Sequence, residues 1–147
     1  MAEKVKFELV SPEKILLSDT VEMVVIPGAE GNLGVLPGHA PLISSVRPGT
    51  IEVYEGNNVA ERIFIAGGFA EVTSERCTVL ADEAVTVSSL DKAAVDAELA
   101  EATSRYGEAL AVAEKGSDAD KVRFKAAERQ LAVATAKAQA VEGIVRH

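Results

Sequence analysis

Residues capable of covalent or acid–base chemistry are scarce in this chain, and their spacing brings none of them together. Its 147 residues include two histidines, His39 and His147, and a single cysteine, Cys77. A His/Cys metal centre needs three or four such ligands, so no metal site is expected. No G-x-S-x-G nucleophile turn occurs, nor a G-x-x-x-x-G-K-[ST] phosphate loop. The pair Gly67-Gly68 lacks the following lysine and helix start of a phosphate cradle, and reads as a tight turn or bulge between strands. The 23 acidic residues show no spacing that singles out a general acid and base. Cys77 lies in RCTVLA, a strand-like run in which a thiol serves as packing. One cysteine also excludes an internal disulfide and suits a reducing compartment. The expectation is a protein that is not an enzyme and holds no cofactor.

One stretch stands out for shape instead. In GNLGVLPGHAPL, residues 31–42, Gly31, Gly34 and Gly38 permit backbone conformations closed to other residues, while Pro37 and Pro41 fix φ and remove donors. Leu33, Val35, Leu36 and Leu42 are expected to pin this loop to a core, leaving it rigid. His39 either closes the turn through a side-chain hydrogen bond or points outward to a partner.

The elements that must hold this loop have two different periods. KVKFELV places Val5, Phe7 and Leu9 on one face and Lys4, Lys6 and Glu8 on the other. VEMVVI, TIEVYEG, ERIFIA and FAEVTS are further short segments rich in β-branched or aromatic residues, and Glu55-Gly56-Asn57-Asn58 is a hairpin turn. Many short strands with close turns predict an antiparallel sandwich or flattened barrel over residues 1–87.

From Ser88 the period becomes helical. Ser88 is read as a cap with Asp91 as its reciprocal acid, and the first helix runs to Lys115 with Gly116 as a stop. Ser117 and Asp120 cap a second helix, running to about Val141. Such a short joint predicts an antiparallel two-helix hairpin over residues 88–147. Its seams are Val95, Leu99, Ala102, Tyr106, Ala109 and Ala113 on one helix, and Phe124, Ala127, Leu131, Ala134, Ala138 and Val141 on the other. Six of the twelve are alanine, and each forgoes roughly 2 kcal/mol of burial relative to leucine. The hairpin thus has little apolar surplus for gripping the sandwich. A separable, mobile unit and a fixed accessory both fit this composition.

Totals exclude several classes. A net charge of −8 argues against nucleic-acid binding, which needs a basic face. The charge is uneven: residues 1–90 carry −7, residues 91–116 carry −3 and residues 117–147 carry +2. The basic second helix suits an acidic partner surface. No apolar run approaches the ~20 residues of a membrane span, so direct insertion is not expected. Hydrophobic residues reach 48% with only 4% aromatic, giving an aliphatic core and few platforms for stacking sugars.

GNLGVLPGHAPLISSVRPGTIEV, then IAGGFAEV, then TVLADEA, in this order and spacing, resembles the epsilon subunits of F-type ATP synthases. The resemblance extends over both halves and is strongest from Val21 to Ala84. It implies a ten-stranded antiparallel β-sandwich followed by a two-helix hairpin. It implies a non-catalytic subunit of the central rotor, seated between the gamma subunit and the c-ring, which couples proton-driven rotation to ATP synthesis. In many members the hairpin extends toward the alpha and beta subunits and restrains ATP hydrolysis. By the same resemblance Glu30, Gly31, Asn32 and Leu33 match the c-ring contact, Gly38, His39, Ala40 and Pro41 lie near the rotor interface, and the eight together are expected to form a c-ring and gamma contact loop.

Some members also bind ATP through I/L-D-x-x-R-A and further arginines. Here Leu90 and Asp91 are present, but Ala94 and Val95 replace Arg-Ala, and Glu101, Val133 and Lys137 stand at the later positions. Nucleotide binding is therefore not expected, and Asp91 has a sufficient role as a helix N-terminal acid. A stand-alone small-ligand or nucleotide-sensing sandwich is the alternative reading. Met1 leads almost at once into Lys4-Val5, without an Arg-rich leader. A bacterial member is expected, peripheral on the cytoplasmic face of the inner membrane.

Overall fold

The alternation in KVKFELV becomes a strand whose Val5, Phe7 and Leu9 are fully buried while Lys4 and Lys6 face water. It opens a ten-stranded sheet in a computed structural model that describes residues 3–145; Met1 and His147 lie outside them. The strands are β1 (Val5–Val10), β2 (Ile15–Val21), β3 (Met23–Gly28), β4 (Gly31–Val35), β5 (Leu42–Val46), β6 (Gly49–Glu55), β7 (Asn58–Ile65), β8 (Gly68–Val72), β9 (Arg76–Ala81) and β10 (Ala84–Thr86). Their order is β10-β7-β6-β3-β5-β8-β9-β1-β2, with β4 paired to β3. The sheet curls into a half-barrel around a core of Val, Ile, Leu and Ala that includes Phe7 and Cys77.

All ladders are antiparallel except β1–β9, which is parallel over Lys6–Val10 and Arg76–Leu80. That pair departs from the wholly antiparallel sandwich expected from close turns, because it joins strands far apart in sequence. β3 is the seam of the curl. It pairs with β6 through Met23, Val24 and Val25, and with β5 through Gly28↔Val46. Between β5 and β6 the chain turns a corner at Arg47-Pro48. Gly49 must be glycine there, since a Cβ would come within 2.9 Å of the Pro27 ring. Glu55–Asn58 forms the expected hairpin. Gly56 at φ 63 occupies the first central position, as in a type II′ turn, and its N–H donates to the Glu22 carboxylate at 2.5 Å. Gly68 is the tightest point. At φ 148, an added Cβ would lie 1.9 Å from the Leu80 carbonyl oxygen.

After a single 3₁₀ turn at Val87–Ser89 come α1 (Lys92–Ala113) and α2 (Asp118–Val145). The chain divides after Ser89 into two compact units. Ser88 does not cap α1. Asp91 does, accepting from the Ala94 N–H at 3.2 Å, because the 3₁₀ turn takes up residues 87–89. Helix α1 ends earlier than Lys115, and Gly116 does not supply a left-handed stop. Its lack of a side chain instead makes room for Asp120, whose Oδ2 would lie 2.5 Å from a Cβ there.

The second cap is reciprocal. The Ser117 N–H donates to Asp120 Oδ2 at 3.0 Å, and the Asp120 N–H donates to Ser117 Oγ at 3.4 Å. In α1 the six seam residues are the ones withdrawn from solvent, and the six on α2 are likewise buried or half-buried. Tyr106 and Phe124 meet across the pair with ring centroids 5.4 Å apart. Lys137, only 8% exposed, donates to both carboxylate oxygens of Glu98 at 3.2 Å.

Candidate functional site

The stretch that reads as one shaped loop is half strand. Gly31–Val35 is β4, paired along its whole length to β3 from Val24↔Val35 to Gly28↔Gly31, with Ala29-Glu30 as a two-residue tip. Glycine is required twice at this tip. Gly31 adopts φ 144, and a Cβ at Gly28 would meet the Gly31 carbonyl oxygen at 2.8 Å. Val35 is fully buried and Leu33 packs partly on the core, but Leu36 and Leu42 are exposed and pin nothing. Leu36 is carried out by the turn that follows β4, and Leu42 stands at the open rim of β5.

That turn is Leu36-Pro37-Gly38-His39. Proline in its second position, glycine at φ 83 in its third, and a 3.2 Å bond from the His39 N–H to the Leu36 carbonyl have the form of a type II turn. The Gly38 N–H donates to the Ser74 carbonyl at 2.8 Å, which ties the turn to the β8–β9 connection. His39 is half-buried, and its Nδ1–H donates to the Ala40 carbonyl at 2.7 Å. The side-chain bond is local to His39-Ala40, and the turn itself is closed by the His39 backbone N–H.

The structure therefore splits the eight candidate residues. Glu30, Gly31, Asn32 and Leu33 gather at the tip beside β5, where residues 28–33 and Leu42–Ser45 line an open groove of about 530 Å³. Gly38, His39, Ala40 and Pro41 lie past the other end of β4, a strand of five residues or about 16 Å. The two groups do not converge on a single point.

Arg47 escaped the sequence reading. Its Nη1 donates to the Gly28 carbonyl and its Nη2 to Asn32 Oδ1 at 2.7 Å, so it grips both arms of the tip. The only sequence signal was a lone arginine before Pro48-Gly49.

The other missed feature is apolar. Strand register places Ser45, Phe69, Leu80, Val10 and Ile15 in one row across the outer face of five strands. Phe69 and Ile15 are each 59% exposed, Leu80 is 46% exposed, and Ile43 beside them is 74% exposed. Apolar side chains in register on a solvent face mark a contact surface more clearly than scattered ones do. The consecutive apolar residues of TVLA and GFA were the available signal, since one member of each pair must face outward.

On α2, Lys121, Lys125 and Arg129 are exposed at four-residue intervals and form a basic stripe. Among the described residues no group of three potential metal ligands lies together. Cys77 is buried in the core, and burial pushes its thiol from an ordinary value of 9.0 up to about 12.

Residues 4–87 match the family model of the ATP synthase delta/epsilon chain β-sandwich domain. The chain is 58% identical over 119 residues to the ATP synthase epsilon chain of Rhodospirillum rubrum, covering 81% of this chain and 89% of that one. It is 50% identical over 141 residues to that of Paramagnetospirillum magneticum, covering 96% and 99%. The fold is also that of a chain in the cryo-EM structure of the Euglena gracilis mitochondrial ATP synthase. The TM-score is 0.73 at 24% identity, over 98% of this chain and 82% of that one. With a family model covering more than half its length and relatives matching it through both sheet and helices, the chain belongs to the ATP synthase epsilon chain family.

Proposed function

We propose that this chain is the non-catalytic epsilon subunit in the central stalk of an F-type ATP synthase, coupling rotation of the c-ring to ATP synthesis through the gamma subunit. The observation that carries the reading is the match to epsilon chains along nearly the whole length, sheet and helices together. The surfaces are suited to it. The row Phe69, Leu80, Val10 and Ile15 offers the aliphatic and aromatic contact that a permanent partner buries, and in this reading it seats gamma. The tip at Glu30–Leu33 meets the c-ring, and the turn at Gly38–Pro41 lies beside the gamma contact. Among the described residues no helix is long and apolar enough to cross a membrane. In this reading the subunit stays peripheral on the cytoplasmic face of the bacterial inner membrane, held there by the c-ring.

Residues 1–87 form the rotor-binding part and residues 88–147 a mobile regulatory hairpin. The stripe Lys121, Lys125 and Arg129 supplies the charge to meet an acidic surface on the alpha and beta subunits.

The test is ATP hydrolysis by a catalytic head that retains gamma and lacks epsilon. Either the full chain is added back, or a version ending at Ser89, which keeps the buried Val87. Both should bind gamma, and only the full chain should slow hydrolysis. Slowing by neither removes the regulatory role and leaves the coupling one. Failure of both to bind refutes the rotor assignment.

A further inference from the structure

We infer that Arg47 is the positioning residue of the rotor-facing tip, setting the angle at which Ala29-Glu30 is presented. The inference rests on that tip being the c-ring contact. The hairpin that carries the tip is weak by composition. Pro27 has no N–H to give to the ladder, and Gly28, Gly31 and Gly34 bring a large conformational entropy to β3 and β4. Past the single pair Gly28↔Val46, two backbone bonds tie this region to β5 and the corner. The Ala29 N–H donates to the Ser45 carbonyl at 3.0 Å, and the Arg47 N–H to the Pro27 carbonyl at 2.9 Å.

The Arg47 guanidinium adds what these do not. One planar fork holds the main chain of β3 at Gly28 and the side chain of β4 at Asn32, directly behind the two-residue tip. Its backbone is at the corner between β5 and β6, so both arms are referred to the body of the sheet. A lysine has no fork and donates from one nitrogen, so it cannot reproduce the planar grip on both acceptors. The Nη2 bond to Asn32 is exposed and the Nη1 bond to the Gly28 carbonyl is part-buried, and both lie at the tip, outside the apolar cluster that sets global stability. They act on the orientation of the tip.

The test uses the full chain with Arg47→Ala and Arg47→Lys, reconstituted with gamma-containing catalytic heads and c-ring vesicles. Melting temperature and gamma binding should match the wild type. Amide exchange at Ala29 should accelerate at least about fivefold in Arg47→Ala. Protons pumped per ATP hydrolysed should fall in both variants, less in Arg47→Lys. Should Arg47→Ala fail to fold, Arg47→Lys decides by the same two readouts. Wild-type exchange at Ala29 together with wild-type coupling overturns the inference. A wild-type chain that fails to engage the c-ring overturns the rotor reading instead, and exchange at Ala29 in the free chain then decides whether Arg47 holds the tip.

Discussion

Cys77 shows how a residue with reactive chemistry is silenced by its surroundings. Its side chain is fully buried on β9 in the aliphatic core, and burial raises its thiol to about 12. Between the ordinary value of 9.0 and that folded value, the unfolded chain releases the thiol proton and the folded chain keeps it. The unfolded state then binds fewer protons, so stability falls as pH rises through this window, by about 1.4 kcal/mol per unit. From pH 8 to pH 10, urea unfolding should show the wild type losing about 1.4 kcal/mol more than Cys77→Ala. Equal losses would mean that the thiol ionises as freely folded as unfolded. The same burial predicts no labelling by maleimide at neutral pH until the chain unfolds. His39 carries the complementary lesson. Its Nδ1 bonds the adjacent Ala40 carbonyl and its backbone N–H closes the type II turn, so an isolated histidine in a glycine- and proline-rich run has a local structural place without any catalytic partner.

The helices depend on local chemistry because their seam is half alanine. The Ser117–Asp120 box satisfies donors that the first turn of α2 would otherwise leave open. Ser117→Ala should lower hairpin stability by ~1 kcal/mol, followed by circular dichroism at 222 nm. Gly107 sits inside α1 with open space around its missing Cβ and no positive φ, so Gly107→Ala should raise it by a similar ~1 kcal/mol. Opposite signs from two single-site changes would show that the hairpin is limited by helix propensity and capping more than by packing. A null effect at both would place its stability in the seam. Lys137 interrupts that seam with a charge held by Glu98. Only Lys137 is buried and Glu98 is exposed, so the pair adds little to stability and serves better to define the register between α1 and α2.

For the whole molecule, the two units differ in what holds them. The sheet unit buries Phe7, Leu9, Ile26, Ile51 and Ile65 completely. The helical unit buries mainly small residues among those described, with Val95 and Val141 the largest of its buried apolar side chains. Hydrogen exchange should therefore separate them. Amides of β1, β8 and β9 should be slower than those of mid-α1 and mid-α2 by on the order of a hundredfold, a gap of ~3 kcal/mol. Equal protection would make the hairpin as firm as the sheet and remove the physical basis for its acting as a moving part.

The sequence by itself determined the two classes of structure and much of what each buries. Alternation in KVKFELV and the three-four spacing from Val95 to Val141 are local patterns, and local patterns survive without knowledge of partners. Family motifs in GNLGVLPGHAPL and IAGGFAEV carried the identity, because turn and close-approach positions admit few residues, as Gly38 and Gly68 show. Local sequence gave less warning of β2, an edge strand exposed along most of ILLSDTV, so its period is faint. It gave none of β4, whose glycines resemble a loop until β3 pairs with them. The parallel β1–β9 ladder, the apolar row through Phe69 and Leu80, and the grip of Arg47 on Gly28 and Asn32 were decided by tertiary structure alone. Each joins residues from separate strands, and only register between strands determines which side chains share a face.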